Sequence, residues 1–464
     1  MNQDPDRAFF GHPKGLGYLA GTELWERFSF YGMQTLLMLY LTQYLLKPEH
    51  EGAVLGLTEF RRLLSSLFGP MSDLGFASQI FGLYSALIYV TPLFGAWLAD
   101  RVIGARRTVT TGAVLMIIGH ITMASERLFL LALALLILGS GCVTGNMAAQ
   151  VGRLYGAHDE RRPRAFGLYL AALNLGLLLS PMVVGTLGEI YGWHWGFGSA
   201  GIGMAIGLLT YLAGRKYLPP DRASKRETPV RLTRRNRRSI FAILLILIPY
   251  ALAMAALLQA YGLMLVWAEQ HVDRQVFGWK IPVTWVLSFD GVTTIVLILL
   301  TTSIWKRLAA RGREPGDVAK LGIGCAFTAA AYLYISIVAH MPSVPLLLWF
   351  CTYLILDFAI AWIEAPTASL VSGNAPSSVN ATMMSIFKLA RAVSYLVMGF
   401  LGGLLEVLGG PLYWAMTGGL AAVACVYVLI FGRRLSTMLA NGSEHQSVEH
   451  DGRLEKALAV EGES

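Results

Sequence analysis

Glu23-Leu24-Trp25-Glu26-Arg27-Phe28-Ser29-Phe30-Tyr31-Gly32 sets two carboxylates and a guanidinium inside a run, Leu16 to Leu46, that is otherwise apolar and aromatic. A run of about thirty residues crosses a bilayer with some tilt. As a helix, it puts Glu26 one turn from Glu23, and Arg27 at i+4 from Glu23, the favourable order for an ion pair. A charge at the bilayer centre costs about 2.5–3.5 kcal/mol on insertion scales. Three such groups therefore need mutual pairing and a wet, inward-facing setting. They form either an ion-paired structural knot or a relay for protons or ligand.

The rest of the chain matches a polytopic membrane protein. Of its 464 residues 55% are hydrophobic and only 14% are charged, where a soluble domain carries about 25% charged. No apolar signal segment is read in residues 1–15, so the first span is expected to serve as its own insertion signal. Apolar runs of spanning length fall near 17–46, 75–98, 105–125, 128–150, 165–189, 195–214, 240–268, 283–304, 318–340, 344–371, 380–406 and 411–432. Twelve spans put both termini on one side. Lys47, Arg61, Arg62, Arg127, Arg274 and Lys280 are the only cations in the loops of the opposite side. Arg27, Lys388 and Arg391 lie within spans, and all the rest of the 37 Lys and Arg fall on the side of the termini. Cations concentrate in cytoplasmic loops, so a multi-pass cell-membrane protein with both termini cytoplasmic is expected. The net charge of +8 is then a topology signal, and no nucleic-acid partner is invoked.

The expected division is an N-terminal six-helix bundle over 1–214, a basic linker over 215–239 and a C-terminal six-helix bundle over 240–434. A polar, disordered cytoplasmic tail over 435–464 follows. Leu57 to Phe68 reads as a short amphipathic surface helix. Cys142, Cys325, Cys351 and Cys425 all lie in apolar runs without a CxxC pair. They read as buried free thiols, and no metal or cofactor site is expected.

Gly11-His12-Pro13-Lys14-Gly15-Leu16, followed by Glu23-x-x-Glu26-Arg27-Phe28-x-x-Tyr31-Gly32, resembles the proton-dependent oligopeptide transporter family of the major facilitator superfamily. That family's first-helix motif reads ExxERFxYYG, and Phe30 stands for its first tyrosine. Gly95 to Arg107, with Asp100-Arg101, Gly104 and Arg106-Arg107, is similar to the loop motif shared across the superfamily. The resemblance implies an all-α fold of twelve transmembrane helices in two bundles and proton-coupled symport of small peptides by alternating access. The implied partners are a peptide or peptide-like solute, protons and the lipid bilayer, and the expected state is a monomer.

Carried over residue by residue, the resemblance assigns proton coupling to Glu23, Glu26 and Arg27. Substrate binding falls to Tyr31, Gln34, Tyr89, Thr144, Asn174, Asp290, Glu364, Lys388 and Arg391. Three of the family's ionisable groups are replaced: Thr144 stands where the family has lysine, Gln34 where it often has arginine, and Leu258-Gln259 where it has Glu-Gln. Asp290 replaces an asparagine, and Phe387 a tryptophan. Glu364 corresponds to the glutamate that receives a peptide amino terminus. Asp357 lies seven residues before Glu364, on the same face of its span. Asp290, Asp357 and Glu364 could instead pair with Lys388 and Arg391 as a structural network. Tyr89 and Asn174 could simply satisfy interhelical hydrogen bonds.

Three classes of function remain open at this level. The first is a transporter of peptides, modified peptides or another small organic solute. The second is a transport-incompetent sensor on the same fold. The third, a membrane enzyme, is disfavoured because the sequence contains no phosphate-binding loop, HExxH, nucleophile elbow or Cys/His cluster.

Overall fold

The computed structural model describes residues 8–156, 159–221, 233–376 and 379–461, as backbone alone from 440 onward. The described residues contain twelve long helices: α1 (Lys14–Tyr40), α2 (Asp73–Arg101), α3 (Ala105–Thr122), α4 (Phe129–Arg153), α5 (Arg162–Ser180, continued by wider turns to Tyr191), α6 (Trp193–Gly214), α7 (Arg234–Leu257), α8 (Trp285–Ala309), α9 (Asp317–Val338), α10 (Leu346–Asn374), α11 (Asn380–Leu401) and α12 (Leu404–Glu461, broken at Gly409). Ten of the twelve are apolar enough to read as membrane spans on composition alone. The other two are α1, which carries Glu23, Glu26 and Arg27, and α3, which opens on Arg106 and Arg107. The expected all-α membrane fold of twelve helices in two bundles is therefore present.

The packing repeats itself. In the first half α1 packs on α5 and α6, α2 on α4, and α3 on α4 and α6. In the second half α7 packs on α11 and α12, α8 on α10, and α9 on α10 and α12. These are equivalent pairings six helices apart, the internal repeat typical of carriers. The halves meet through α2 with α11 and α5 with α8. Small residues set the first contact: a methyl at Gly82 would lie 2.6 Å from the Tyr395 carbonyl oxygen, and one at Gly399 would lie 2.8 Å from that of Ser78. At the second, the Glu189 carboxylate receives Val283 N at 2.9 Å and Thr284 N at 3.0 Å, while Trp285 Nε1 donates to Thr186 at 2.8 Å. Among the described residues, the hydrogen bonds and ion pairs between the bundles lie near mid-height or on the face away from the termini. The bundles are thus fastened to each other on that face.

The fastened face carries the surface helix Leu57–Phe68, with Leu57 and Leu64 turned inward. It also carries four short strands. β1 (Val272–Asp273) pairs in parallel with β4 (Val344–Pro345), and β2 (Gln275–Val276) pairs antiparallel with β3 (Trp279–Lys280) through a turn at Phe277-Gly278, both at positive φ.

The expected boundaries need correction in two places. The linker ends before 239, because α7 already begins at Arg234 behind a Thr233 cap; linker residues 222–232 lie outside the described residues. The disordered tail cannot begin at 435, since Leu435 and Leu439 are buried. Asp100 is exposed and, among the described residues, caps no helix. Instead Asp221 accepts from the Arg106 backbone N–H at the start of α3, at 3.2 Å, while the Arg106 side chain donates to the Leu218 and Pro219 carbonyls.

Candidate functional site

Close helix crossings bring the charged part of α1 against α4 and α5. A methyl at Gly176 of α5 would lie 2.3 Å from the Leu24 carbonyl and 3.0 Å from Arg27 Cβ. Only a residue without a side chain allows that approach. Tyr169 sits two turns before Gly176 on the same face, and its hydroxyl donates to Glu23 Oε2. On the other flank, Gly141 of α4 packs on α2, and Thr144 follows one turn later.

The expected Glu23–Arg27 pair forms, with Arg27 Nε donating to Glu23 Oε1 at 2.9 Å. The same nitrogen lies 2.8 Å from Glu26 Oε2, an ion contact without hydrogen-bond geometry. Arg27 Nη2 donates to the Thr144 hydroxyl at 3.1 Å, and Thr144 lies beside the Glu26 carboxyl. One guanidinium thus serves two carboxylates. Glu23 has further support from Tyr169, whereas Glu26, fully buried, has no hydrogen bond among the described residues. A buried ionised group left this way is costly.

A second group lies between the bundles. Gln34 Nε2 donates to the Tyr395 hydroxyl at 3.1 Å. The Tyr395 ring stacks on Tyr89 with centroids 5.6 Å apart. The Arg391 guanidinium lies 5.6 Å from the Tyr89 ring and pairs with Glu364 Oε1 at 2.9 Å. Tyr250 donates to Glu364 Oε2 at 3.0 Å. Tyr31 lies within electrostatic reach of Tyr89, Arg27 and Arg391. Residues from α1, α2, α7, α10 and α11 therefore converge between the two bundles.

Other expected site residues stand elsewhere. Asn174 Nδ2 donates to its own helix at the Leu170 carbonyl, 2.8 Å away. Lys388 is exposed and has no acidic partner among the described residues, so it does not join Arg391 in one ion network. Asp290 is buried, receiving the Tyr261 hydroxyl at 3.1 Å, and Asp357 binds the hydroxyls of Thr293 and Thr294. Of the three acids expected to pair with cations, only Glu364 does so among the described residues. Gln259 is buried and donates to the Met398 carbonyl at 3.2 Å.

Sequence reasoning missed Tyr169, Tyr250, Tyr261 and Tyr395. Three are buried and Tyr261 is half-buried, and each hydroxyl engages a polar or acidic side chain. The available signal was their position in apolar spans, where a buried tyrosine hydroxyl needs a partner.

Comparison with known proteins adds the following. The family model for the Major Facilitator Superfamily matches residues 71–399. The uncharacterized transporter YclF of Bacillus subtilis (strain 168) is 28% identical, over 90% of this chain and 93% of its own length. A di-/tripeptide transporter of Lactococcus lactis subsp. cremoris is 26% identical over 94% and 98%. The crystal structure of a POT peptide transporter variant in complex with alafosfalin superposes with a TM-score of 0.82 at 26% identity, covering 94% of this chain and 97% of the other. With the motif of its first helix, the paired six-helix bundles and a family match over most of its length, the chain belongs to the Major Facilitator Superfamily and, within it, resembles the POT family of peptide transporters.

Proposed function

We propose that this protein is a secondary active transporter that moves a small peptide or peptide-like solute together with protons by alternating access. Both termini are cytoplasmic in this reading, on the distribution of cations, so the fastened face is the outer one. The observation that carries it is the buried Glu23–Glu26–Arg27 triad. One guanidinium facing two carboxylates leaves a negative charge uncompensated, and Glu26 is the carboxylate without hydrogen bonds. A proton arriving at Glu26 removes that cost, and its departure restores it. Such a group can make substrate binding and bundle closure depend on protonation.

The solute would bind between the bundles, against Tyr31, Gln34, Tyr89 and the Glu364–Arg391 pair. Glu364 supplies a negative group for an amine, and the stacked tyrosines supply apolar faces. The cations are less available: Arg27 is held by Glu23, Glu26 and Thr144, and Arg391 by Glu364. This favours a solute whose carboxylate is masked or absent over a simple zwitterionic dipeptide.

Purified protein in liposomes, given an inward proton gradient, tests the reading with labelled dialanine and alafosfalin as probes alongside a wider peptide and amino-acid-conjugate library. Accumulation of any of these solutes that collapses with a protonophore supports symport. Binding without gradient-driven accumulation across the library would instead identify a sensor on a carrier fold.

A further inference from the structure

Asp290 of α8 and Asp357 of α10 stand apart from every ion pair described above. They are 4% and 2% exposed. Asp357 reaches α8 one turn after Asp290, where Thr293 and Thr294 donate to it, so the two carboxyl groups lie close together. Asp290 Oδ2 accepts from Tyr261, and Asp357 Oδ1 accepts from Thr294 at 2.7 Å. The other titratable groups facing the pair are phenols. Tyr261 comes from the turn after α7 and Tyr353 from α10 itself, with Tyr31 of α1 and Tyr395 of α11 beyond Tyr261. Among the described residues no Lys, Arg or His faces the pair, and α5, which packs on α8, contributes no titratable group to it.

Two ionised carboxylates cannot hydrogen-bond to each other, because neither has a hydrogen to give. Buried together without a cation, they cannot both keep a charge. The pair is therefore suited to hold one proton. Thr294 already donates to Asp357, which leaves the free oxygen of Asp290 as the natural seat. Thr293 adds an alternative: its oxygen also lies 2.9 Å from the Phe289 carbonyl, and its single hydrogen can serve only one of its acceptors. When it serves Phe289, Asp357 can hold the proton and donate it to Thr293.

The position of the pair links it to closure. Ser288, two residues before Asp290, donates to the Leu178 carbonyl of α5 at 2.8 Å, and Thr284 on the same approach meets Glu189. α8 thus touches the opposite bundle through one face and Asp357 through another. We propose that Asp290 and Asp357 form a second proton-binding site, which fastens α8 to α10 when occupied and releases it, by repulsion between the two carboxylates, when empty. The proposal rests on the proton-coupled reading and adds a site in the second bundle to the one on α1.

Infrared spectroscopy of the full chain in phosphatidylcholine liposomes tests it without any solute. All measurements use the Glu26→Gln background, which removes one of the first helix's two carboxyls from consideration and leaves Arg27 to Glu23. A carbonyl stretch of a protonated carboxylic acid is expected at neutral pH. It should be lost or shifted when Asp290→Asn is added, and likewise with Asp357→Asn. Asparagine has nearly the same shape and can still donate across the contact, so the fold should persist, with retained thermal unfolding as the check. A band absent from the background protein, or left unchanged by either substitution, overturns the proposal. The measurement needs no transport: a chain that shows the band but accumulates nothing keeps the site and loses the symport reading.

Discussion

Glu189, at the end of α5, holds Thr284 at the start of α8 through both its backbone N–H, at 3.0 Å, and its hydroxyl, at 2.6 Å. The same carboxylate takes Val283 N and lies 3.7 Å from Arg274, so one side chain of the first bundle gathers three hydrogen-bond donors and one ion contact of the second. Arg274 is in turn held by Glu269. The face away from the termini is latched at this point.

Removing the latch should open that face. Glu189→Ala leaves the Val283 and Thr284 amides without their acceptor, and each buried unsatisfied donor costs about 1–3 kcal/mol. Such a cost is comparable to the differences that separate carrier conformations. With the four native cysteines replaced and spin labels placed at Pro48 and Asp273, the distance distribution of Glu189→Ala should gain a longer component. An unchanged distribution would mean that Glu189 is ornament and the α2–α11 contact alone keeps the face shut.

The α2–α11 contact makes a complementary prediction. Gly82→Val would drive its Cβ to 2.6 Å from the Tyr395 carbonyl and 2.9 Å from Gly399 Cα, and backbone atoms cannot step aside as a flexible side chain can. Overpacking of this kind costs about 1–3 kcal/mol, and here the fastened face bears all of it. The variant should show a lower melting temperature in detergent and the same lengthened label distances. Gly291→Ala is the control, because its Cβ would meet Leu177 at an ordinary 3.7 Å. Equal destabilisation by both would refute the assignment of Gly82 to closure.

These contacts show what the sequence could and could not convey. The spans were legible because bilayer-length apolar runs are long and repetitive. The Glu23–Arg27 pair was legible because it is local, fixed by helical spacing alone. Partners on other helices were not. Asp357 and Glu364 share a face of α10, but seven residues separate them by about 10 Å along the axis. They consequently meet different neighbours: Asp357 reaches Thr293 and Thr294 of α8, and Glu364 reaches Arg391 of α11. Lys388 and Arg391 likewise differ by one turn, enough for one to be exposed and the other paired. Asn174 satisfies itself on the carbonyl four residues back, an option open to any helical asparagine. The tyrosines that complete the site leave no periodic trace in an apolar run.

The coupling role assigned to Glu26 has a sharp kinetic consequence. Glu26→Gln keeps the shape but fixes the group as neutral, as if permanently protonated. Gradient-driven accumulation should fall to the level of liposomes without protein. Exchange of labelled for unlabelled solute should continue, because exchange needs no net proton movement. Uphill accumulation by Glu26→Gln at the rate of the unaltered protein would remove Glu26 from the coupling path.

The last prediction concerns Thr144. Its hydroxyl accepts from Arg27 and lies beside Glu26, where the peptide-transporter resemblance leads one to expect a lysine. A zwitterionic dipeptide brings a carboxylate that loses water on binding, and burying it without a free cation costs several kcal/mol. Arg27 already serves two carboxylates, and Arg391 is paired with Glu364. Lys388 lacks an acidic partner among the described residues, but it is exposed, one turn away from Arg391 and its pair with Glu364. Dialanine should therefore bind weakly or not at all to the unaltered protein. Thr144→Lys places an ammonium next to the uncompensated charge of Glu23 and Glu26, so the fold should tolerate it. The ammonium would then either free Arg27 for the peptide carboxylate or meet that carboxylate itself. Calorimetric titration should show dialanine affinity rising at least tenfold in Thr144→Lys, which corresponds to about 1.4 kcal/mol. Micromolar dialanine binding by the unaltered protein, indifferent to this substitution, would mean that other residues receive the peptide carboxylate and that simple dipeptides are natural substrates.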